Sequence, residues 1–151
     1  MRVLIQRVTH ASVLSDGVQT GEIKEGLLIF AGFEDEDNDD DLEYATRKIV
    51  NLRIFDDENG VMNLSLSDIS GEILLISQFT LHAQTKKGNR PSYIKAARPE
   101  KAIPLYEKFI TLLTDSTSKE IKSGVFGADM KVSLLNNGPV TIWIDTKEMN
   151  Y

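Results

Sequence analysis

The sequence predicts an α/β protein of the α+β kind, a mainly antiparallel β-sheet system with two helices packed on it. Three observations predict it. Short alternating or wholly apolar stretches rich in β-branched residues recur along the chain, separated by turn-forming pairs such as Asp16-Gly17 and Asn59-Gly60. Only two segments carry apolar residues at helical spacing. The 151 residues are 41% apolar and 26% charged, enough for a packed core with little room for a second one, so residues 1–151 read as a single domain.

In chain order, residues 3–9 alternate and read as a strand, and Asp16-Gly17 signals a hairpin that returns 18–23 beside it. Residues 27–33 form a continuous apolar run bounded by glycines, as suits a central strand buried on both faces. Leu42, Ala45, Ile49 and Leu52 place a first helix over about 39–52. Asn59-Gly60 is a tight turn between 54–55 and 61–62, and 73–81 is the next strong strand. Residues 84–99 mix turn formers and charges without a period, which predicts a long surface loop, a frequent seat of function. A second helix begins near Pro99 and carries Leu105, Tyr106, Phe109, Ile110, Leu112 and Leu113. Pro104 removes one helical hydrogen bond, so that helix bends early or starts later. Residues 130–135 and 140–145 are the final two strands, separated by Asn136, Asn137, Gly138 and Pro139.

Several classes are excluded by composition. The chain has no cysteine, hence no disulfide scaffold, thiolate zinc site or cysteine nucleophile. Two histidines, His10 and His82, do not make a multi-histidine metal centre; no metal and no cofactor is expected. The longest apolar run is too short to span a bilayer, and Gln6-Arg7 interrupts any signal-peptide core, so a cytoplasmic protein without membrane association is the default. Seventeen basic against 23 acidic residues give a net charge of −6, which argues against a general nucleic-acid binder.

The charge is unevenly spread. Eight acidic residues and no basic one lie between positions 34 and 43, whereas Lys86, Lys87, Arg90, Lys95, Arg98 and Lys101 face only Glu100 over 86–101. Such runs are commonly solvated faces; alternatively the basic one meets phosphates. Asp35, Asp37 and Asp39 imitate the start of a calcium loop, but Asp40 stands where its glycine belongs and Thr46 where its bidentate glutamate belongs. The acidic run therefore reads as a polar loop leading into a helix.

No phosphate-binding glycine fingerprint occurs, and Gly124-Val125-Phe126-Gly127 is only a weak match to an RNA-clamping loop. Ser77, Gln78, Phe79 and Thr80 end a strand just before the basic segment. On a strand, His82 shares a face with Thr80, the minimum of a nucleophile–base pair, yet no nearby carboxylate orients it. Asn137-Gly138-Pro139 is read first as a β-turn. A Gly-Pro bond can also be cis, and glycine leaves its main chain uncovered for close approach by a ligand.

Together these segments carry a resemblance. Ser77-Gln78-Phe79-Thr80-Leu81-His82-Ala83 and Asn137-Gly138-Pro139-Val140-Thr141 resemble the two signature motifs of the D-aminoacyl-tRNA deacylases, the D-tyrosyl-tRNA deacylase family. The likeness extends to Gln6-Arg7-Val8, Gly21-Glu22-Ile23, Arg90-Pro91-Ser92 and Phe126-Gly127-Ala128-Asp129-Met130, over essentially the whole chain. Asn137 stands where an aspartate is common, Val125 where an arginine is, and His82 where a small or aromatic residue is.

The resemblance implies a homodimer in which Gly138-Pro139, with a cis bond, enters the other subunit's active site, built around Ser77, Gln78, Phe79 and Thr80. Arg7, with Asn137, would support that loop. The substrate would be the ester joining a D-amino acid to the terminal adenosine of tRNA, and glycyl-tRNA would pass the same steric filter. Catalysis would lean on the tRNA 2′-hydroxyl, with N–H groups near Phe79 and Thr80 facing the carbonyl oxygen and the Thr80 hydroxyl supporting a water. Lys86, Lys87 and Arg90 would contact tRNA phosphates; no DNA partner is expected. Three rivals remain: a sister deacylase with a trans Gly-Pro acting on L-aminoacyl-tRNA, a noncatalytic RNA-binding module, and a small-molecule esterase using Thr80 and His82.

Overall fold

The computed structural model describes residues 1–148. Its framework is a 14-residue strand β1 (Arg2–Ser15), which turns at Asp16 and Gly17 into β2 (Val18–Ile23). Both turn residues have positive φ, 48° and 82°, the backbone that the Asp-Gly pair predicts for a two-residue hairpin. Strand β3 (Gly26–Gly32) follows, then helix α1 (Asp39–Asn51), a small hairpin of β4 (Phe55–Asp56) and β5 (Met62–Leu64), and β6 (Glu72–Ser77). A 3₁₀ turn (Phe79–His82), helix α2 (Pro99–Thr117), β7 (Lys122–Ser123) and β8 (Met130–Asp145) complete the order.

The main sheet runs β2-β1-β3-β6-β7, with β8 paired to β1. The pairs β1–β2, β1–β3 and β1–β8 are antiparallel, whereas β3–β6 and β6–β7 are parallel, because a helix-bearing crossover separates each of these pairs. Antiparallel pairing predominates, as the sequence predicts. Strand β3 is indeed buried on both faces. Leu27, Ile29 and Ala31 join Ile73, Leu75 and the apolar faces of α1 and α2 in one core; Leu28 joins Leu74, Ile76, Val8, Ala11 and Val13 in a second. Helices cover one face, and the curled far half of β1 with β8 covers the other.

Helix α1 accounts for the second half of the acidic run. Asn38 caps it in a reciprocal box with Asp41, and Asp39, Asp40 and Asp41 fill its first turn, where the helix dipole favours negative charge. Asp41 is held below the usual carboxylate range: burial opposes its charge, but hydrogen bonds from Lys147, Thr146 and the Asn38 N–H outweigh that. Helix α2 starts at Pro99 and accommodates Pro104 near its beginning.

Two expectations are corrected. Residues 73–81 are not one strand: β6 stops at Ser77 and 79–82 coil into the 3₁₀ turn. Residues 130–135 and 140–145 are not separate strands either. They are one strand, β8, paired to β1 on both sides of 137–140, with Thr141 opposite Gln6 and Asn136 opposite Val8. Residues 137–140 therefore bulge out opposite the single residue Arg7. Among the described residues no helix is long and apolar enough to cross a membrane.

Candidate active site

At the end of β6, the Gln78 N–H donates to the Ala31 carbonyl (2.8 Å), which keeps the chain beside β3 for one more residue. It then coils, with Leu81 N–H donating to Gln78 (3.3 Å) and Ala83 N–H to Thr80 (3.0 Å). Gly32 makes this possible. A Cβ there would stand 2.7 Å from the Gln78 carbonyl oxygen and 3.1 Å from the His82 ring, so only glycine lets the turn close against β3. The leading N–H groups of a helical turn have no acceptor inside it, and here they belong to Phe79 and Thr80.

A cavity of about 270 Å³ opens beside this turn. Ser77, Gln78 and Phe79 line it from the turn, Gly32 and Phe33 from the end of β3 and just beyond, and Phe126, Ala128 and Met130 from the stretch leading into β8. The cavity is mostly apolar with a polar strip, the composition of a small-molecule or nucleoside pocket. Behind Phe126 lies Tyr106, ring to ring at 5.8 Å; its hydroxyl donates to the Leu75 carbonyl at 3.0 Å. Burial pushes the Tyr106 hydroxyl up to about 12, so it stays protonated and keeps that bond.

The Thr80 hydroxyl accepts from Gln78 Nε2 at 2.5 Å. His82 is 1% exposed, and both its ring nitrogens lack a hydrogen-bond partner among the described residues. The hydroxyl–imidazole pair that strand alternation placed on one face is thus not formed, because the 3₁₀ turn rotates His82 inward. Phe79 points outward, 56% exposed, against Tyr93 edge to face at 5.1 Å.

Gly138 and Pro139 are exposed on the β8 bulge, and their peptide bond, which the sequence left open, is cis. Arg7, 5% exposed, is the bulge's anchor. Its Nε donates to the Asn137 carbonyl (2.9 Å), and its Nη1 donates to the Ile54 carbonyl (2.6 Å) and to Asp56 (3.2 Å). Asn136 closes the bulge from below: its Oδ1 accepts from Val140 N–H (2.9 Å) and its Nδ2 donates to Thr141 Oγ1 (3.1 Å). Asn136, Ile54 and Asp56 escaped the sequence reading; only the doubled asparagine before Gly-Pro hinted at the first, and nothing local marks the other two. Gly138 and Pro139 do not line the cavity of their own chain.

Lys86, Lys87 and Arg90 sit together on an exposed finger. Its base is clamped by two bonds between Gln84 and Ser92 (2.8 and 3.0 Å), and Gly88 turns its tip with φ of 68°. The finger leaves from the 3₁₀ turn and returns into Tyr93, so it stands at the rim beside Phe79.

A protein-family model described as D-Tyr-tRNA(Tyr) deacylase matches residues 4–145. A D-aminoacyl-tRNA deacylase of Bacteroides fragilis (strain YCH46) is 63% identical over 147 residues, covering 97% of this chain and 98% of that protein. One of Porphyromonas gingivalis is 61% identical over 146 residues, covering 97% of each. Among solved structures, one named c-Myc DNA Unwinding Element Binding Protein superposes with a TM-score of 0.90 at 41% identity, over 96% of this chain and 98% of that one. A probable eukaryotic D-amino acid tRNA deacylase superposes at 0.81 with 17% identity, over 95% of this chain and 97% of that one, a likeness of fold. A family match across nearly the whole length, with relatives at about three-fifths identity, places this chain in the D-Tyr-tRNA(Tyr) deacylase family, the D-aminoacyl-tRNA deacylases.

Proposed function

We propose that this protein hydrolyses the ester of D-aminoacyl-tRNA to free D-amino acid and tRNA, acting in the cytoplasm as a homodimer. The cavity beside Ser77, Gln78, Phe79 and Thr80 takes the terminal adenosine. The ester carbonyl oxygen faces the N–H groups of Phe79 and Thr80, which stabilise the negative charge that develops as water adds. Thr80, oriented by Gln78, supports that water, and the neighbouring tRNA 2′-hydroxyl assists it. Gly138 and Pro139 of a second copy close the cavity and fill the space an L side chain needs, while a D side chain points away. Glycine, with nothing to clash, is accepted.

The observation that carries this reading is the mismatch within one chain: a rigidly anchored Gly138-Pro139 projects into solvent, and the cavity it would guard opens elsewhere. A second copy resolves both. Lys86, Lys87 and Arg90 grip phosphates near the acceptor end, and DNA is not a substrate.

The decisive experiment compares hydrolysis of matched D-, L- and glycyl-tRNA, each with and without the terminal 2′-hydroxyl, with simple esters and a DNA duplex competitor as controls. D- and glycyl-tRNA are expected to be cleaved, L-aminoacyl-tRNA spared, and the 2′-deoxy substrates slowed by about a hundredfold or more. Cleavage of the L form would support the L-selective relative. Binding without turnover would support an RNA-binding module, cleavage of simple esters without tRNA an esterase, and strong competition by duplex DNA a DNA-directed role.

A further inference from the structure

We propose that Ser15 and Asp16, at the β1–β2 turn, are positioning residues that set the cavity's affinity for the terminal nucleoside by holding its far wall in place; this rests on the substrate reading above. The wall is the stretch 125–129, whose middle residues Phe126, Gly127 and Ala128 line the cavity. Gly127, with φ of 79°, and the Ala128 N–H bond to the Val125 carbonyl (3.2 Å) make it a tight reversal with no strand partner of its own.

Its two ends are tied to two consecutive residues. Ser15 Oγ accepts from Val125 N–H at 3.1 Å, and Asp16 Oδ1 accepts from Asp129 N–H at 3.1 Å. The Asp16 N–H in turn donates to the Asp129 carbonyl at 2.9 Å. Ser15 is 4% exposed, and its hydroxyl is fixed by a 2.8 Å bond with Thr20 Oγ1. Asp16 can reach back because its φ of 48° lies in the left-handed region that Asp and Asn tolerate. Further holds on the wall include the packing of Phe126 against Tyr106 and the main core, the Lys131–Asp129 ion pair (2.7 Å) and a long 3.4 Å bond from Gly124 N–H to Leu75. Loosening the ties lets the wall populate open forms, which lowers apparent affinity by the fraction closed and leaves the chemistry beside Phe79 and Thr80 untouched.

The test uses the full chain with Ser15→Ala, Asp16→Ala and Asp16→Asn, read by amide hydrogen exchange and by steady-state kinetics on D-aminoacyl-tRNA. Ser15→Ala and Asp16→Ala are expected to speed exchange at Val125 and Asp129, respectively, and to raise KM, each by about two- to tenfold, with kcat unchanged. Asp16→Asn keeps the Oδ1 acceptor and the backbone tolerance, so it should restore wild-type behaviour. Unchanged exchange in both alanine variants would overturn the proposal, as would a fall in kcat at constant KM, or an Asp16→Asn protein as impaired as Asp16→Ala. Should the wild type fail to hydrolyse D-aminoacyl-tRNA, the substrate reading falls, while the exchange rates still decide whether these residues hold the wall.

Discussion

Arg7 directs one guanidinium at two backbone carbonyls and a carboxylate, and this fork is what keeps four residues of β8 looped out opposite it. Gly138 completes the fit: a Cβ there would stand 2.7 Å from Arg7 Nη2, and its φ of 128° disfavours any side chain. Arg7→Lys preserves the charge but offers a single ammonium, which cannot reach Asn137 and Ile54 together. It is expected to cost about 1–3 kcal/mol of stability in a denaturant titration. If Gly138-Pro139 is the chiral gate, kcat/KM on D-aminoacyl-tRNA should also fall by at least about tenfold and discrimination against the L form should narrow; unchanged discrimination would separate Arg7 from the gate. As a sequence feature, Arg7 stood out only through the family resemblance, because a buried arginine in an alternating strand looks like an exposed one until its partners, 47 and 130 positions away, are known.

At the scale of elements, the parallel pairing of β3 with β6 places the 3₁₀ turn that borders the cavity. The two backbones meet tightly at Gly26, where a Cβ would stand 2.6 Å from the Glu72 nitrogen and overlap its carbonyl, with no flexible side chain to give way. Gly26→Ala is therefore expected to cost about 3 kcal/mol, seen as a lowered urea midpoint; an unchanged midpoint would mean the two strands separate easily. The same pairing explains where the sequence reading stopped short. After the apolar run of β6, Phe79 and Leu81 alternate with Gln78 and Thr80 like a strand's continuation, so pattern alone extends the strand to 81. Strand β3 ends at Gly32, however, and without a neighbour to bond, the chain coils. In β8 the error runs the other way: four turn-forming residues predict a break, but β1 remains alongside on both sides of them and carries the pairing across. Turn chemistry is local, whereas pairing depends on what lies opposite.

For the whole molecule, charge is segregated. Against a net charge of −6, the finger bearing Lys86, Lys87 and Arg90 is a concentrated positive feature, while three carboxylates of the acidic run, Asp39, Asp40 and Asp41, fill the first turn of α1. Replacing all three by alanine is expected to reduce the slope of log affinity against log salt for tRNA by about two to three, at any attached amino acid. Turnover at saturating substrate should be retained. An unchanged slope would move the phosphate contacts to another surface.

The sequence by itself determined both helices, the early strands, the two-faced burial of β3, the tight turn at Asp16-Gly17 and, through its two motifs, the family. These are written in local periodicity and in short runs of residues whose backbone preferences act within a few positions. Only the tertiary structure decided that the second motif is a bulge, closed by Asn136 and with Arg7 braced on Ile54 and Asp56, that His82 turns away from Thr80, and that the cavity wall hangs from Ser15 and Asp16. Each of those depends on hydrogen bonds and steric gaps between segments distant in the chain, where the identity of one residue says nothing until its partner is in place.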